Sequence, residues 1–243
     1  LTGGYAGGLD APLATQFPET VEAIVGRLGQ GCLEQRLDSL YAGYNDAQVR
    51  AKVADVLLTD YTSRYRFDSV EAYEQGLAQL ESVSSRFGLD SRYAEAFRLR
   101  RASVVGTPFP ESVVLRDEQG RPFDFSSLRG RYVYIDLWAS WCVPCIREMP
   151  ALQRLEEQLS DRQQDVVFLS VSIDTKTQAW LKKKQELQPG GLQLIDTENA
   201  LPRALNVKGI PFFVIYDRDG RLHTYNAPRP SHPQLPALLR QLP

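Results

Sequence analysis

Three cysteines, two histidines and one methionine in 243 residues leave little for metal or disulfide chemistry to work with. A small scaffold stapled by disulfides needs several pairs, so that class is excluded. Zinc takes four ligands, whereas the chain offers one Cys-x-x-Cys, a remote Cys32, and His223 and His232 without a paired spacing. No metal site is expected. Long apolar runs are missing as well: no stretch of about eighteen apolar residues exists to cross a membrane as a helix. Neither sign of charge dominates, with 28 Lys and Arg against 30 Asp and Glu and a net charge of -2. That balance argues against a nucleic-acid partner, because phosphate binding is driven by clustered basic residues. Internal repeats and low-complexity tracts are absent. The first residue is Leu1 rather than methionine, so a processed product whose targeting segment is no longer visible is expected.

Two of the three cysteines stand together, in Trp141-Cys142-Val143-Pro144-Cys145. Upstream, Tyr132-Val133-Tyr134-Ile135-Asp136-Leu137-Trp138 is β-branched and aromatic, as a buried parallel strand should be. Downstream, Cys145 to Leu159 repeats apolar residues at Ile146, Met149, Leu152, Leu155 and Leu159, which predicts a helix. The motif therefore sits on a strand-loop-helix corner. Thiols two residues apart can close a disulfide across the first helical turn, and the helix N-terminal amides lower the pKa of the first sulfur. Cys142 is then the nucleophile and Cys145 the resolving thiol. Pro144 suits the first turn, where a missing N–H costs little and the ring narrows the loop. The plainer alternatives are half of a zinc site, which lacks partners, and a structural bridge, which over so small a loop would constrain the unfolded chain little.

The first hundred residues read differently. Val21, Ile24, Val25 and Leu28 recur at helical spacing, as do Val49, Val53, Val56 and Leu57, then Val70, Tyr73, Leu77, Leu80 and Phe87, with a further helix from Ser91 to about Ala102. Pro18 suits a helix start, and Asn45 with Gln48 and Asp68 with Glu71 read as capping boxes. Leu1 to Pro12 reads as a loose terminus. Cys32 reads as a small buried hydrophobe beside Leu33, with a reactive thiol or an intermolecular bridge as the alternatives. Tyr41, Tyr44, Tyr61, Tyr65 and Tyr73 fit core positions better than a docking surface. Residues 1–103 are thus an all-α domain without a catalytic constellation, and Ser103 to Pro108 is a short linker into 104–243. Beyond it a hairpin from Ser112 to Phe125 turns at Gln119-Gly120. Strands at Val166 to Ser172 and Phe212 to Tyr216 and a helix from Asp174 to Gln188 follow. A final hairpin turns at Asp217-Arg218-Asp219-Gly220 before a last helix. Lys182-Lys183-Lys184 reads as a solvated face and His223 and His232 as exposed bystanders.

Four features together carry a family resemblance: Gly106-Thr107-Pro108-Phe109 before the hairpin; Asp136 to Cys145; Ser172-Ile173-Asp174; and Gly209-Ile210-Pro211. From about Val104 onward the chain resembles the thioredoxin superfamily, and more narrowly the TlpA/ResA/CcmG-type periplasmic thiol-disulfide oxidoreductases. The resemblance implies a thioredoxin-like α/β fold, a mixed sheet flanked by helices, following the helical N-terminal domain. It implies a cis peptide at Ile210-Pro211 and no cofactor beyond a redox-active Cys142-Cys145 disulfide. Asp136 matches the buried acid that relays protons to the resolving thiol, its raised pKa suiting proton transfer near neutral pH; a structurally paired acid is the alternative. Glu148 completes Cys-x-Pro-Cys-x-x-Glu and matches the active-site glutamate of ResA-type enzymes; an ordinary acid in the first turns of a helix is the alternative. Trp141, Val143, Pro144, Ile210 and Pro211 form the expected rim for a substrate, while Trp138 packs the strand.

Val143, Pro144 and Ile210 lean toward a reductant acting on disulfide-containing proteins. The implied place is the periplasm or cell envelope, with membrane attachment through a removed N-terminal segment and a membrane thiol reductase as electron donor. The rival classes are a non-catalytic interaction protein that keeps the fold as scaffold, a thiol peroxidase, and a copper-type metal-delivery protein, which would want wider cysteine spacing and a nearby histidine. The peroxidase wants Thr-x-x-Cys where this chain has Ala139-Ser140-Trp141 before Cys142.

Overall fold

Apolar residues every three or four positions bury a helix on one side, and among the described residues before 99 five helices arise. The computed structural model describes residues 21–28, 31–64, 69–162 and 165–243. The chain falls into two compact units, residues up to 66 with 74–98, and residues 67–73 with 99–243. The helices are α1 (Val21–Arg27), α2 (Leu33–Gly43), α3 (Ala47–Arg64), α4 (Val70–Phe87) and α5 (Arg92–Arg98). Helix α3 is packed by α1, α2 and α5. The core of this unit includes Leu37, Leu40, Val53, Leu57, Leu58, Leu80 and Phe97, each at most 1% exposed.

Several expectations are corrected in these helices. The buried arc of α3 centres on Val53, Ala54, Leu57 and Leu58, which leaves Val56 beyond its edge and 41% exposed. The cap of α3 is Asp46 rather than Asn45, because the Asp46 carboxylate accepts the Gln48 and Val49 N–H groups. Ser69 Oγ accepts Ala72 N–H at the start of α4, whereas Asp68 lies outside the described residues, as do Leu1 to Pro12, Pro18 and Tyr65. Tyr73 is buried and Tyr41, Tyr44 and Tyr61 are half-buried. Cys32 is exposed, not buried: it is the cap residue of α2, and the apolar stripe begins one residue later at Leu33.

The second unit is built on runs too apolar to face water on either side. Its strands are β1 (Leu115–Arg116), β2 (Pro122–Phe123), β3 (Tyr132–Trp138), β4 (Val166–Ser172), β5 (Leu192–Ile195), β6 (Phe212–Tyr216) and β7 (Leu222–Tyr225). They form one mixed sheet in the order β2-β1-β5-β4-β3-β6-β7, the thioredoxin-like arrangement expected. Strand β3 is buried at all seven positions, parallel to β4 and antiparallel to β6. The remaining helices are α6 (Val143–Gln158), α7 (Thr177–Leu187), α8 (Ala200–Ala204) and α9 (Leu235–Arg240). Side chains alternate across a strand. Accordingly Tyr132, Tyr134 and Trp138 join the cluster of Met149, Leu152 and Leu155 from α6, while Val133, Ile135 and Leu137 join Leu201 and Leu205 near α8 on the other face.

The turns explain themselves locally. Gly120 and Gly220 take φ of +77° and +70° at the two hairpin turns, a region costly for other residues. The segment read as a linker is not free. Gly106 N–H donates to Leu222 O, Leu222 N–H to Thr107 O and Phe109 N–H to Gly220 O, so Thr107 to Phe109 runs beside β7 within this unit. His223 is half-buried with its ring edge against Tyr132, since β7 turns that side chain toward β3; His232 is exposed. In the lysine run Lys182 is exposed, whereas Lys183 and Lys184 reach Glu186 and Glu118.

Candidate active site

At the end of β3 the chain must leave the sheet and start a helix within four residues, and hydrogen bonds fix each step. Ile173 N–H donates to Trp138 O at 2.8 Å, keeping β3 and β4 in register to their ends, and Cys142 N–H donates to Ala139 O at 3.0 Å, closing the turn. Cys142 is the cap residue of α6, its sulfur accepting the Cys145 N–H at 3.3 Å. A helix N-terminal amide aimed at this sulfur favours the thiolate once the pair is reduced. Pro144 sits in the first turn, as its missing donor permits. The two sulfurs are bonded to each other at 2.05 Å, so the structure is that of the oxidised form. Cys142 and Cys145 are 4% and 2% exposed, between Trp141 at 65% and Val143 at 55%. The disulfide is therefore recessed behind an apolar rim.

Asp136 shares its strand face with Tyr134 and Trp138, the face covered by the cluster that contains both cysteines. Burial, and secondarily the Glu148 carboxylate, push its carboxyl from an ordinary 3.8 up to about 8. The neighbouring Tyr134 hydroxyl donates to Pro228 O at 2.8 Å, and burial raises its pKa far above the ordinary phenol value. Glu148, one turn after Cys145, accepts the N–H and hydroxyl of Ser231, both at 3.0 Å. The Ile210-Pro211 peptide is cis. Ile210 packs against the cysteine cluster, and Phe212, the residue after Pro211, is the register partner of Leu137. The sequence-predicted site residues of this unit thus lie on three adjoining pieces of chain: the end of β3, the first turns of α6, and the entry to β6.

A second carboxylate organises the corner and was given no role from sequence. Asp174, 3% exposed, accepts Ser140 N–H at 2.8 Å, the Ser140 hydroxyl at 2.7 Å and the Ser172 hydroxyl at 2.8 Å. It holds Ser140, two residues before Cys142, against the end of β4. Because Asp174 is committed to that task, α7 starts only at Thr177 rather than at Asp174. The Ser172-Ile173-Asp174 motif was the available signal; for Ser231 there was none, since it lies 83 residues from Glu148.

Comparison with known proteins agrees with this geometry. The model of the Redoxin family matches residues 104–242. The thiol-disulfide oxidoreductase ResA of Geobacillus thermodenitrificans is 29% identical over 133 residues, covering 54% of this chain and 73% of that protein. The thiol:disulfide interchange protein DsbE of Pseudomonas aeruginosa is 28% identical over 121 residues, covering 49% of this chain and 64% of its own length. A crystal structure of a Bacteroides vulgatus protein assigned as a thiol-disulfide oxidoreductase superposes with a TM-score of 0.53 at 32% identity, covering 58% of this chain and 98% of that one.

Proposed function

The chain belongs to the Redoxin family, and from that premise we propose that this thiol-disulfide oxidoreductase works as a reductant, passing two electrons from the Cys142 and Cys145 thiols to disulfides of protein substrates. The Cys142 thiolate attacks a substrate disulfide, forming a mixed disulfide and expelling one substrate thiolate. Asp136, as carboxylate, takes the Cys145 proton. Cys145 then attacks Cys142 Sγ, expelling the second substrate thiolate and leaving the Cys142-Cys145 disulfide. Two substrate sulfurs are reduced and two protein sulfurs oxidised.

The observation that carries this reading is a recessed Cys142-Cys145 pair and, on the strand face that its cluster covers, a buried carboxyl whose pKa is pushed up to about 8. In this scheme Glu148, fixed by Ser231, sets the local charge near the first turns of α6. Trp141, Val143 and Pro144 contact the substrate, and the Ile210 backbone beside Pro211 pairs with its extended chain. A reducing role requires re-reduction by a donor dithiol; a membrane thiol reductase and a location in the periplasm or cell envelope follow from the TlpA/ResA/CcmG resemblance. In this reading the helical unit, described over residues 21–28, 31–64 and 74–98, presents a partner to the redox region. Reduction of insulin disulfides in the presence of a small dithiol tests the proposal. Wild type should accelerate it and Cys142→Ser should not; equal rates with and without wild type would overturn it.

A further inference from the structure

Four segments meet at the Cys142 corner. They are the start of α6, the end of β4 bonded to Ser140 through Asp174, the turn whose Ile210 packs against the cysteine cluster, and the loop whose Ser231 holds Glu148. Each carries one basic side chain within two residues of its anchoring group: Arg147 after Cys145, Lys176 after Asp174, Lys208 before Ile210, and Arg229 before Ser231. All four are exposed, and among the described residues none of them is in an ion pair. Elsewhere in the same unit Arg121, Arg162, Lys184 and Arg240 are matched by Asp117, Asp165, Glu118 and Asp161, whereas Arg129, Arg154 and Lys182 are likewise in no ion pair among the described residues. What sets the four apart is their place on the segments around Cys142.

These segments also carry two carboxylates, Asp174 and Glu148, against the four basic groups. Asp174 is buried beneath three donors, and Glu148 is engaged by Ser231. Arg147 lies one helical turn beyond Val143 and shares its exposed face. The rim around the disulfide is thus apolar at Trp141 and Val143 and positive around them, on a chain whose net charge is -2.

We propose that Arg147, Lys176, Lys208 and Arg229 form a docking rim that selects protein substrates whose target disulfide is flanked by acidic residues; this rests on the reductant reading above. Charges distributed around a cleft steer encounter and repel like-charged partners while leaving bond exchange to the sulfurs. Acidic flanks therefore raise kcat/KM mainly at low ionic strength, where the Debye length spans the rim.

The test compares three substrates of the full chain: an oxidised peptide with glutamates flanking its disulfide, the same peptide with lysines instead, and the uncharged bis(2-hydroxyethyl) disulfide. The glutamate peptide should exceed the lysine peptide by about 10-fold or more in kcat/KM at low salt. The ratio should fall toward unity at about 0.5 M salt, where screening is nearly complete. The variant carrying Arg147→Gln, Lys176→Gln, Lys208→Gln and Arg229→Gln should show a ratio near unity already at low salt. A wild-type ratio near unity, a preference for lysine flanks, or a ratio without salt dependence would overturn the docking rim, and none of these needs the variant to fold. Failure of wild type to reduce the uncharged disulfide would instead overturn the reductant reading itself.

Discussion

A carboxyl surrounded by apolar side chains gives up its proton late, and Asp136 is such a carboxyl, held near 8 by burial first and Glu148 second. Below about 8 it is mostly protonated, so its capacity to accept the Cys145 proton grows as pH rises through that value. The same shift fixes the sign of its effect on stability. The folded chain keeps the proton that the unfolded chain loses near 3.8, so stability declines as pH rises from about 4 to 8 and is level beyond. Asp136→Asn should slow resolution of a mixed disulfide about 100-fold, the scale of one general base. It should also flatten the rise in rate toward pH 8 in stopped-flow measurements, and its melting temperature should gain on wild type across that window. An unchanged pH profile would remove Asp136 from proton transfer. At this scale the Cys-x-x-Cys pair was legible from its spacing, and the burial of Asp136 and the cis Ile210-Pro211 peptide from the family resemblance that their motifs carry. The grip of Ser231 on Glu148 was not, because it joins residues 83 apart.

The strands Tyr132–Trp138, Val166–Ser172 and Phe212–Tyr216 stand where the sequence predicts, since runs with no polar face have one stable fate, the middle of a covered sheet. Ends of elements were harder to read. Asp46 rather than Asn45 caps α3, and Thr107 to Phe109, rich in turn signals, is bonded beside β7 because its partners Gly220 and Leu222 are remote in sequence. The loop from β3 to α6 shows the same limit: Ser140 is placed by Asp174, 34 residues away on the far side of β4. Asp174→Asn keeps one carbonyl oxygen but turns an NH2 group toward the donors, leaving a buried mismatch. A loss of about 1–3 kcal/mol in urea denaturation is expected. Turnover with a protein disulfide should fall as well, because the approach to Cys142 loosens. Stability and turnover equal to wild type would show that the loop is held by other means.

At the scale of the molecule, the Redoxin match spans 104–242 and the α-helices before residue 99 lie outside it. Composition and periodicity were enough to separate a helical region from an α/β region. They did not show that the first residues of α4, through Tyr73, belong with the second unit, because that membership depends on contacts rather than on local pattern. The chemistry is concentrated in the α/β unit, while exposed Cys32 belongs to the helical one. The division of labour between the two sulfurs is the central claim. It is tested most directly by mixing reduced Cys145→Ser protein with an oxidised peptide disulfide and locating the adduct by mass spectrometry after proteolysis. A peptide attached to Cys142, stable in Cys145→Ser and released by wild type, is the expected result. Adducts on Cys32 alone, or none, would contradict it.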